Sequence, residues 1–444
     1  MKSDILSRAL GFIYGYNMKD FKRLVAESME WDKKQWEEYH NQRIPLVVMH
    51  AYQHVPYYHE LFDKNGIDPC SIKSENDLQS IPVTRKQDVL SHHQSFIADN
   101  ASAFHPASHH TGGTTGMPLY YFNDRKSWAL NWAVKMYTFA QAGFHYGNDK
   151  LAVMAGGSLI PGKSSGIKHG LWRWTNNYYS MPISHMSSQT MDGYIDCLVK
   201  NKIQFLRGYP SAIASFAEYV VSINRFVQLK AVFTTAEMLY PHQRSIIQRA
   251  FGCDTWDVYG CGDGMGQAAD CRAHDKMHVF EQVSVMQIVD GEGCEVKARE
   301  EGEIVLTSLY DFAMPFIRYA PGDYAVKGED GCACGRHSKT IEKIVGRTSD
   351  VFRFSNGRIL NGLSLPIEEL TDEVNRFQIV QVERDAVEIL LEEKNPLSKE
   401  RIEKLKTTVA YHCGEGVSVV VKVVDKIVVP DSEKFRYVIS KVKE

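Results

Sequence analysis

Two stretches near the start of the chain repeat apolar residues every three or four positions. The first runs MKDFKRLVAESMEWDKKQWEEYH from Met18 to His40. The second continues through Val47–Phe62 and is broken at Pro56, which lacks the N–H that a helix interior needs. Residues 18–64 are therefore expected to be helical. Leu78–Leu90 reads as a loop that gives way to a helix, with Thr84 as its candidate N-cap. From about residue 127 the pattern changes. The short apolar runs Leu151–Ala155, Phe205–Arg207, Ala231–Thr234, Thr255–Val258 and Gly302–Leu306 read as strands, and Ser211–Ile223 and Pro241–Phe251 between them read as helices. That alternation predicts α/β layers.

The texture changes again at Gly346–Asp350. Beyond it, Phe377–Val382 and Ala386–Leu391 read as hairpin strands, Ser398–Cys413 as a helix and Val417–Val424 as a β-rich run, before Ile427–Pro430 leads into a basic end. This last part reads as a small α+β unit. The expected division is a large α/β domain over 1–346, multi-layered with mixed sheets and helices and opening on a helical segment over about 1–95, followed by a small α+β domain over 347–444. No internal repeat or low-complexity tract interrupts either part.

Composition narrows the partners. The 444 residues carry 51 basic and 54 acidic side chains, a net charge of −3, so no basic excess calls for nucleic acid. No apolar run approaches the length of a membrane span, so no membrane is expected as a partner. The N-terminal apolar stretch is short, follows Asp4 and Arg8, and lacks a small-residue cleavage site, so a signal peptide is not expected. The nine cysteines are odd in number and scattered, which points to a reducing, cytoplasmic setting rather than a disulfide framework. Cys332-Ala333-Cys334, in a glycine-rich loop, is the one tight pair.

The densest candidate chemistry is His110-Thr111-Gly112-Gly113-Thr114-Thr115-Gly116-Met117-Pro118. Its glycines admit positive φ, and successive amides with three threonine hydroxyls suit phosphate oxygens. Gly116-Met117-Pro118 stands where a P-loop NTPase needs Gly-Lys-Ser/Thr, so it is not that motif. Taken alone, the stretch reads equally as a turn. In order after it come Thr234-Thr235-Ala236-Glu237, Tyr259-Gly260-Cys261-Gly262-Asp263, Tyr319-Ala320-Pro321-Gly322-Asp323, Gly346-Arg347-Thr348-Ser349-Asp350 and Glu433-Lys434-Phe435-Arg436. As a set, over roughly residues 30–444, these resemble the adenylate-forming, acyl-CoA synthetase superfamily. His54-Val55-Pro56-Tyr57-Tyr58 and Leu78–Arg85 resemble its phenylacetate–CoA ligase branch, CapK-type relatives included.

The resemblance implies roles. Thr111, Gly113, Thr114, Thr115 and Gly116 would hold the phosphates of ATP, with Met117 replacing a usual lysine. Ala236, Glu237 and Gly260 would border the nucleotide, Tyr259 would stack on adenine, and Asp257 would meet its amine. Asp263 would carry Mg²⁺ where the family usually has Glu, and Gly262 stands where it usually has Thr. Asp323 would accept from the ribose hydroxyls. Arg336 and Arg347 both lie near the family's nucleotide arginine, and Arg347 is the one expected. Asp350 falls at the hinge to a mobile small domain. Lys434 falls on that domain's catalytic lysine, with Glu433 in place of a usual Gly.

Thiolates and imidazole suit Zn²⁺, and phenylacetate–CoA ligase-like proteins carry Cys, His, Cys and Cys at places matching Cys271, His278, Cys332 and Cys334. A structural Zn²⁺ is implied there, with His274 as a competing ligand. An acid pocket is implied near Ala155–Ser158, Gly208-Tyr209-Pro210 and Ala236, with Trp172, Trp174, Tyr178 and Tyr179 in an aromatic-rich segment. The implied activity joins a carboxylic acid to a thiol of CoA or of a carrier protein through an acyl-adenylate. An amine acceptor stays open, as do the acid and the oligomeric state. The alternative is a non-catalytic nucleotide-binding or zinc-stabilised interaction protein, favoured by Met117, Gly262, Asp263 and Glu433.

Overall fold

Local signals in the first sixty residues set the helices, and they break the expected run Met18–His40 in two at Met29–Asp32. Helix α1, Met18–Ser28, begins where the Asn17 side chain accepts from the Lys19 N–H. Helix α2, Lys33–His54, opens on a capping box: Asp32 accepts from the Gln35 N–H and Gln35 from the Asp32 N–H. It buries Trp36, His40, Ile44, Val47, Val48 and Ala51, one stripe at helical spacing. Pro56 starts helix α3, Pro56–Asn65, at the position where its missing N–H costs nothing, and Gly66 ends it at φ +63°. The expectation at Thr84 needs correction. Its N–H donates to the Arg318 carbonyl in a short strand, β1 (Thr84–Arg85), so helix α4, Lys86–Ser91, starts two residues later. There Asp88 accepts from the Arg85 N–H at 2.7 Å.

The computed structural model describes residues 11, 15–111, 119–155, 177–183, 186–347, 351–356, 359–361, 373–427 and 437–442. Within them the strands continue as β2 (Ala107–His110), β3 (Tyr120–Asn123), β4 (Leu151–Ala155), β5 (Tyr178–Pro182), β6 (Phe205–Gly208), β7 (Ala231–Thr235), β8 (Asp254–Cys261), β9 (Gly266–Asp270), β10 (Met277–Val279), β11 (Ser284–Val289), β12 (Glu301–Ser308), β13 (Tyr319–Ala320), β14 (Asp323–Lys327) and β15 (Thr340–Arg347). Helices α5 (Arg125–Gln141), α6 (Ser188–Lys200), α7 (Pro210–Ser222) and α8 (Pro241–Phe251) lie among them. The main sheet runs β1-β13-β12-β14-β15-β10-β9-β8-β7-β6-β4-β5, with β11 paired to β12. From β5 to β8 neighbouring strands are parallel, and β8–β9 and β9–β10 are antiparallel. The α/β expectation and its mixed sheet are what the chain forms. The central strands β4 and β7 are buried along their whole length, as parallel strands covered on both faces must be. Phe139 of α5 stacks on Phe233 of β7 at 3.9 Å in that core.

By contacts the chain divides into two compact units, Met1–Pro321 with Ala325–Ile344, and Gly322–Tyr324 with Val345–Glu444. The smaller contains β16 (Val351–Arg353) paired with β17 (Ile359–Asn361), and a four-stranded sheet in the order β20-β19-β18-β21. Those strands are β18 (Val374–Glu383), β19 (Ala386–Glu393), β20 (Ser418–Val424) and β21 (Val438–Ser440). Helix α9, Lys399–Cys413, starts where Ser398 accepts from the Arg401 N–H. Its Leu405 and Val409 close on Phe377, Ile379, Ile389 and Leu391 of the hairpin. Among the described residues no helix is long and apolar enough to cross a membrane.

Candidate nucleotide site and cysteine–histidine cluster

Strands β7 and β8 run side by side, with Thr234 opposite Asp257 and Thr235 opposite Val258. The residues just beyond, Ala236 and Tyr259, therefore emerge together at the carboxyl ends of parallel strands, where open α/β sheets place ligands. Ala236 holds φ +71°, a left-handed conformation that costs an alanine free energy. Glu237 accepts from the Ser211 N–H and so caps helix α7. The Thr234 hydroxyl donates to Asp257 at 2.8 Å. Burial, and then the neighbouring Asp270, push the Asp257 carboxyl up to about 7. Gly260 is exposed, with open space where a side chain would stand. On the next strand of the acid-pocket candidates, a Cβ at Gly208 would lie 2.0 Å from the Met154 carbonyl, so only glycine lets β6 close on β4.

The arms of the glycine-rich loop are β2 and β3, an antiparallel hairpin with His110 opposite Tyr120. Thr111 ties its base: its N–H donates to the Leu119 carbonyl, and its hydroxyl accepts from the Leu119 N–H at 3.0 Å. The Lys86 ammonium lies 3.5 Å from the same hydroxyl. A cation thus stands at the loop's base although Met117 carries none. Gly113, Thr114, Thr115 and Gly116 lie outside the described residues, as do Asp350 and Lys434.

The hairpin meets the turn after β8. A Cβ at Gly262 would stand 2.2 Å from the Tyr121 hydroxyl, so the phenol fills the space that a side chain at 262 would take. Asn123 donates to the Gly262 carbonyl at 3.4 Å. Asp263, buried, accepts from the Tyr319 hydroxyl at 2.8 Å and from the Cys261 thiol at 3.3 Å. Beneath the hairpin lies a second pair of buried acids. Asp124 accepts from the Phe312 and Ala313 N–H groups, and Asp311 accepts from the Asp124 N–H and from Asn123. Burial, and then Asp311, push Asp124 up to about 8, and burial raises Asp311 as well.

Asp323 is buried at the start of β14, behind Gly322 at φ +86°. Arg347 ends β15. Arg336 donates to the Tyr137 hydroxyl at 2.9 Å and to Gln141 at 3.1 Å, so its guanidinium is spent on helix α5.

The chain brings Cys271, His278, Cys332 and Cys334 together. One ligand atom from each lies within 4.8 Å of all the others. Cys271 follows β9, His278 sits in β10 opposite Ala269, and the two remaining cysteines lie in the loop before β15, between Gly331 and Gly335 at φ +83° and +85°. Cys271 Sγ is 3.6 Å from Cys332 Sγ, and Cys334 Sγ is 3.2 Å from His278 Nε2. The other ring nitrogen, Nδ1, lies 2.9 Å from the Ser338 hydroxyl, which fixes the ring. His274 turns away: its Nδ1 is 3.3 Å from Asp270, and its ring meets Trp256 edge-on. Without an ion, burial pushes the Cys271 thiol up to about 12 and His278 down to about 4. The four side chains fit a tetrahedral Zn²⁺ donor set, two buried and two half-buried.

A second buried cluster holds a cation of the chain itself. His40, Glu75 and Glu281 bring ligand atoms within 4.8 Å of one another, and Lys339 pairs with Glu75 among them. Sequence reading missed this cluster, Tyr121 and the Asp124–Asp311 pair. Each depends on at least one contact between residues more than a hundred positions apart, which no local spacing records.

Comparison with known proteins gives the same picture over most of the chain. Residues 353–441 match the CapK C-terminal domain. The chain is 24% identical to protein CapK of Staphylococcus aureus over 415 residues, 91% of this chain and 89% of that one. It is 26% identical to a phenylacetate-coenzyme A ligase of Thermus thermophilus over 413 residues, 86% and 90% of the two. Among solved structures, 2-hydroxyisobutyryl-CoA ligase in the postadenylation state, in complex with R3-HIB-AMP, matches with a TM-score of 0.74 at 20% identity, covering 94% and 92%. The same ligase with 2-HIB-AMP and CoA in the thioesterification state matches with a TM-score of 0.59 at 20% identity, covering 94% and 91%.

Proposed function

We propose that this chain, a relative of CapK and of the phenylacetate–CoA ligases, is an AMP-forming acid–thiol ligase. A carboxylate oxygen attacks the α-phosphorus of ATP and pyrophosphate leaves. The thiol of CoA, or of a carrier protein, then attacks the acyl carbon, and AMP leaves as the thiol gives up its proton. Splitting the reaction replaces a poor leaving group by AMP.

The observation that carries this reading is a convergence. The base of the glycine-rich loop, the end of β8 and the turn at Gly262–Asp263 meet through Tyr121 and Asn123, across 139 residues of sequence. Asp263, in this reading, supplies a hard oxygen donor near Tyr259 and Asp257. In this reading Thr111–Gly116 cradle the phosphates, Tyr259 stacks on adenine, Asp257 meets the exocyclic amine, and Asp323 accepts from the ribose. Asp263 would hold Mg²⁺, which neutralises phosphate charge. Its carboxylate is oriented for that by Tyr319. The Tyr121 hydroxyl, in this reading, stands in for the one that Gly262 lacks, and Lys86, near Thr111 at the base of the loop, for the cation that Met117 lacks. Arg347 is assigned to the nucleotide, and Lys434 to the charge that builds as carboxylate attacks phosphorus. The smaller unit takes the mobile role that the resemblance gives it.

Cys271, His278, Cys332 and Cys334 would hold a structural Zn²⁺, which supplies cross-linking of two loops and strand β10 and no chemistry. Pyrophosphate release, with hydroxylamine trapping of the acyl-adenylate, across a panel of acids with ATP and Mg²⁺ tests the ligase reading. Trapped hydroxamate with at least one acid is expected. No pyrophosphate with any acid would sink it.

A further inference from the structure

The carboxyl ends of β4, β6 and β7 hold two cations that nothing in the proposed reaction uses. Lys135 lies on α5 and Arg207 on β6, one residue before Gly208-Tyr209-Pro210. Their level in the sheet follows from ring contacts. Phe144, just beyond α5, meets Phe205, the first residue of β6. Phe139, further back along α5, stacks on Phe233 in the middle of β7. The helix therefore runs against the strands. Lys135, four residues before Phe139, is displaced by about 6 Å toward the strands' carboxyl ends. That is the end where Ala236 and Tyr259 emerge.

The two cations border one aromatic cluster. The Lys135 ammonium lies 4.7 Å over the Trp132 ring, and the Arg207 guanidinium 5.7 Å over Phe139. Tyr146 stacks on Phe139 at 5.6 Å and meets Trp132 edge-on at 5.7 Å, joining the two sides. Among the described residues neither cation has a carboxylate partner: no ion pair includes either. Burial, and then the nearby Arg207, hold the Lys135 ammonium well below the ordinary lysine range. Two like charges held near one another on half-buried side chains without an anion are costly, and aromatic faces return only part of that cost. Such a pair is held ready for a negative charge that comes and goes.

We infer that Lys135 and Arg207 form an anion subsite of the acid pocket, and that the preferred substrate is a carboxylic acid bearing a second anionic group, a carboxylate or a phosphate, on its acyl part. This rests on the ligase reading for its place in the reaction, though not for the binding itself. The reacting carboxylate goes to ATP. The second anion pairs with the guanidinium, whose planar fork matches carboxylate and phosphate oxygens, and with the ammonium beside it. The rings between them hold the acid's carbon frame.

The experiment is calorimetric titration of the full chain with matched acids: hexanoate against adipate, and phenylacetate against 4-carboxyphenylacetate and 4-phosphonophenylacetate. In at least one set the doubly anionic acid is expected to bind about tenfold or more tighter than its monoanionic match. Arg207→Met and Lys135→Met should each erase that preference while leaving the monoacid within about twofold. Arg207→Lys should keep part of it. A merely structural role predicts the opposite for the ligand-free protein. Lys135→Met should raise the unfolding temperature, because it removes an uncompensated buried charge. Equal binding of mono- and dianionic acids, no binding of either, or a preference that survives both substitutions overturns the subsite. Pyrophosphate release on the same acids is scored separately. Anion preference without pyrophosphate keeps the subsite and sinks the ligase reading. Pyrophosphate from monoacids as readily as from diacids keeps the ligase reading and sinks the subsite.

Discussion

Lys339 and Lys135 both carry a cation into the large unit, and the fold treats them in opposite ways. Around Lys339 it supplies anions. Glu75 pairs with the ammonium, and Glu281 accepts from the Lys339 backbone N–H at 2.7 Å. Burial works against both charges. The two glutamates still hold Lys339 above the ordinary lysine range, and Lys339 with His40 holds Glu75 down at about 2. Around Lys135 the fold supplies rings and a second cation, and the ammonium is pushed the other way. The two sites obey the same electrostatics. Where a buried charge is compensated from within the chain, it fastens elements together: here α2 and the loop at Glu75 to the start of β15. Where it is not, the missing partner is a ligand. The cysteine–histidine cluster is, on the zinc reading proposed above, a third case, thiols whose charged form a cation would hold.

The largest effect is expected where the missing partner is a metal. Purified protein should contain about one zinc per chain, read by elemental analysis. Removing it with a chelator, or replacing Cys332 with Ser, should lower stability by several kcal/mol, because metal binding of this kind is folding free energy. Folded, zinc-free protein with an unchanged unfolding curve would count against the assignment. Next comes the compensated cluster. Glu75→Gln leaves Lys339 short of its principal partner and should cost about 3 kcal/mol in denaturant unfolding. Replacing both members, with Glu75→Leu and Lys339→Met, should cost much less. If the single and double variants unfold alike, the pair is not what fastens α2.

Asp124 and Asp311 reverse the signs of the comparison: two buried carboxyls that, among the described residues, form no ion pair with a cation. Both carboxyls titrate higher in the folded protein than in the unfolded chain, where aspartate lies near 3.9. The folded state therefore binds protons more tightly. Its stability is fully present below about pH 4 and is lost as pH rises toward the raised value of about 8 at Asp124. Asp124→Asn removes one of the two charges but keeps only one oxygen, so one of the Phe312 and Ala313 amides, which donate to different carboxylate oxygens, loses its acceptor and offsets part of the gain. It should flatten the stability profile across that window and raise stability at pH 8 by about 2 kcal/mol. A profile as steep as the parent's would show that the pair does not titrate there.

These contrasts also explain what the sequence can tell. Leu151–Ala155, Phe205–Arg207 and Ala231–Thr234 are legible as strands, because burial on both faces writes an unbroken apolar run. Pro56 is legible as a helix boundary, because capping is local; the Asp32 cap is equally local but lies inside the run Met18–His40 that spacing reads as one helix. Thr84 misleads because the competing force, pairing with Tyr319, lies 235 positions away. Cys332-x-Cys334 is weak spacing on its own, and its partner Cys271 lies 61 residues off, so only the resemblance points to all four ligands. Lys135 and Arg207 leave a fainter trace, a lone charge inside each of two apolar stretches, and that trace gives no hint that the two meet. Tyr121 leaves none. Its role depends on the absence of a side chain at 262, and an absence has no pattern.

The smallest effect on stability tests that last contact, and its main readout is activity. Gly262→Ala adds one methyl group at a point 2.2 Å from the Tyr121 hydroxyl, and the next atom of the ring lies 3.3 Å away. Either the phenol or the turn must give, at a cost of about 1–3 kcal/mol. The phenol is buried between the hairpin and Asp263, and burial, with Asp263 next, keeps it protonated far above neutrality. The turn can yield only by moving Asp263, which Tyr319 holds. The substitution should therefore lower the rate of pyrophosphate release about tenfold or more, and lower stability by no more than that packing cost of about 1–3 kcal/mol. Tyr121→Phe alone keeps the ring and removes the hydroxyl, so it measures what the hydroxyl contributes to the site. In the double variant the clash at 2.2 Å is gone and only the 3.3 Å ring contact remains. If Tyr121 constrains the turn, Gly262→Ala should cost less on the Tyr121→Phe background than on the parent. Equal costs on both backgrounds would mean that Gly262 is required for some other reason, and that the phenol is a bystander.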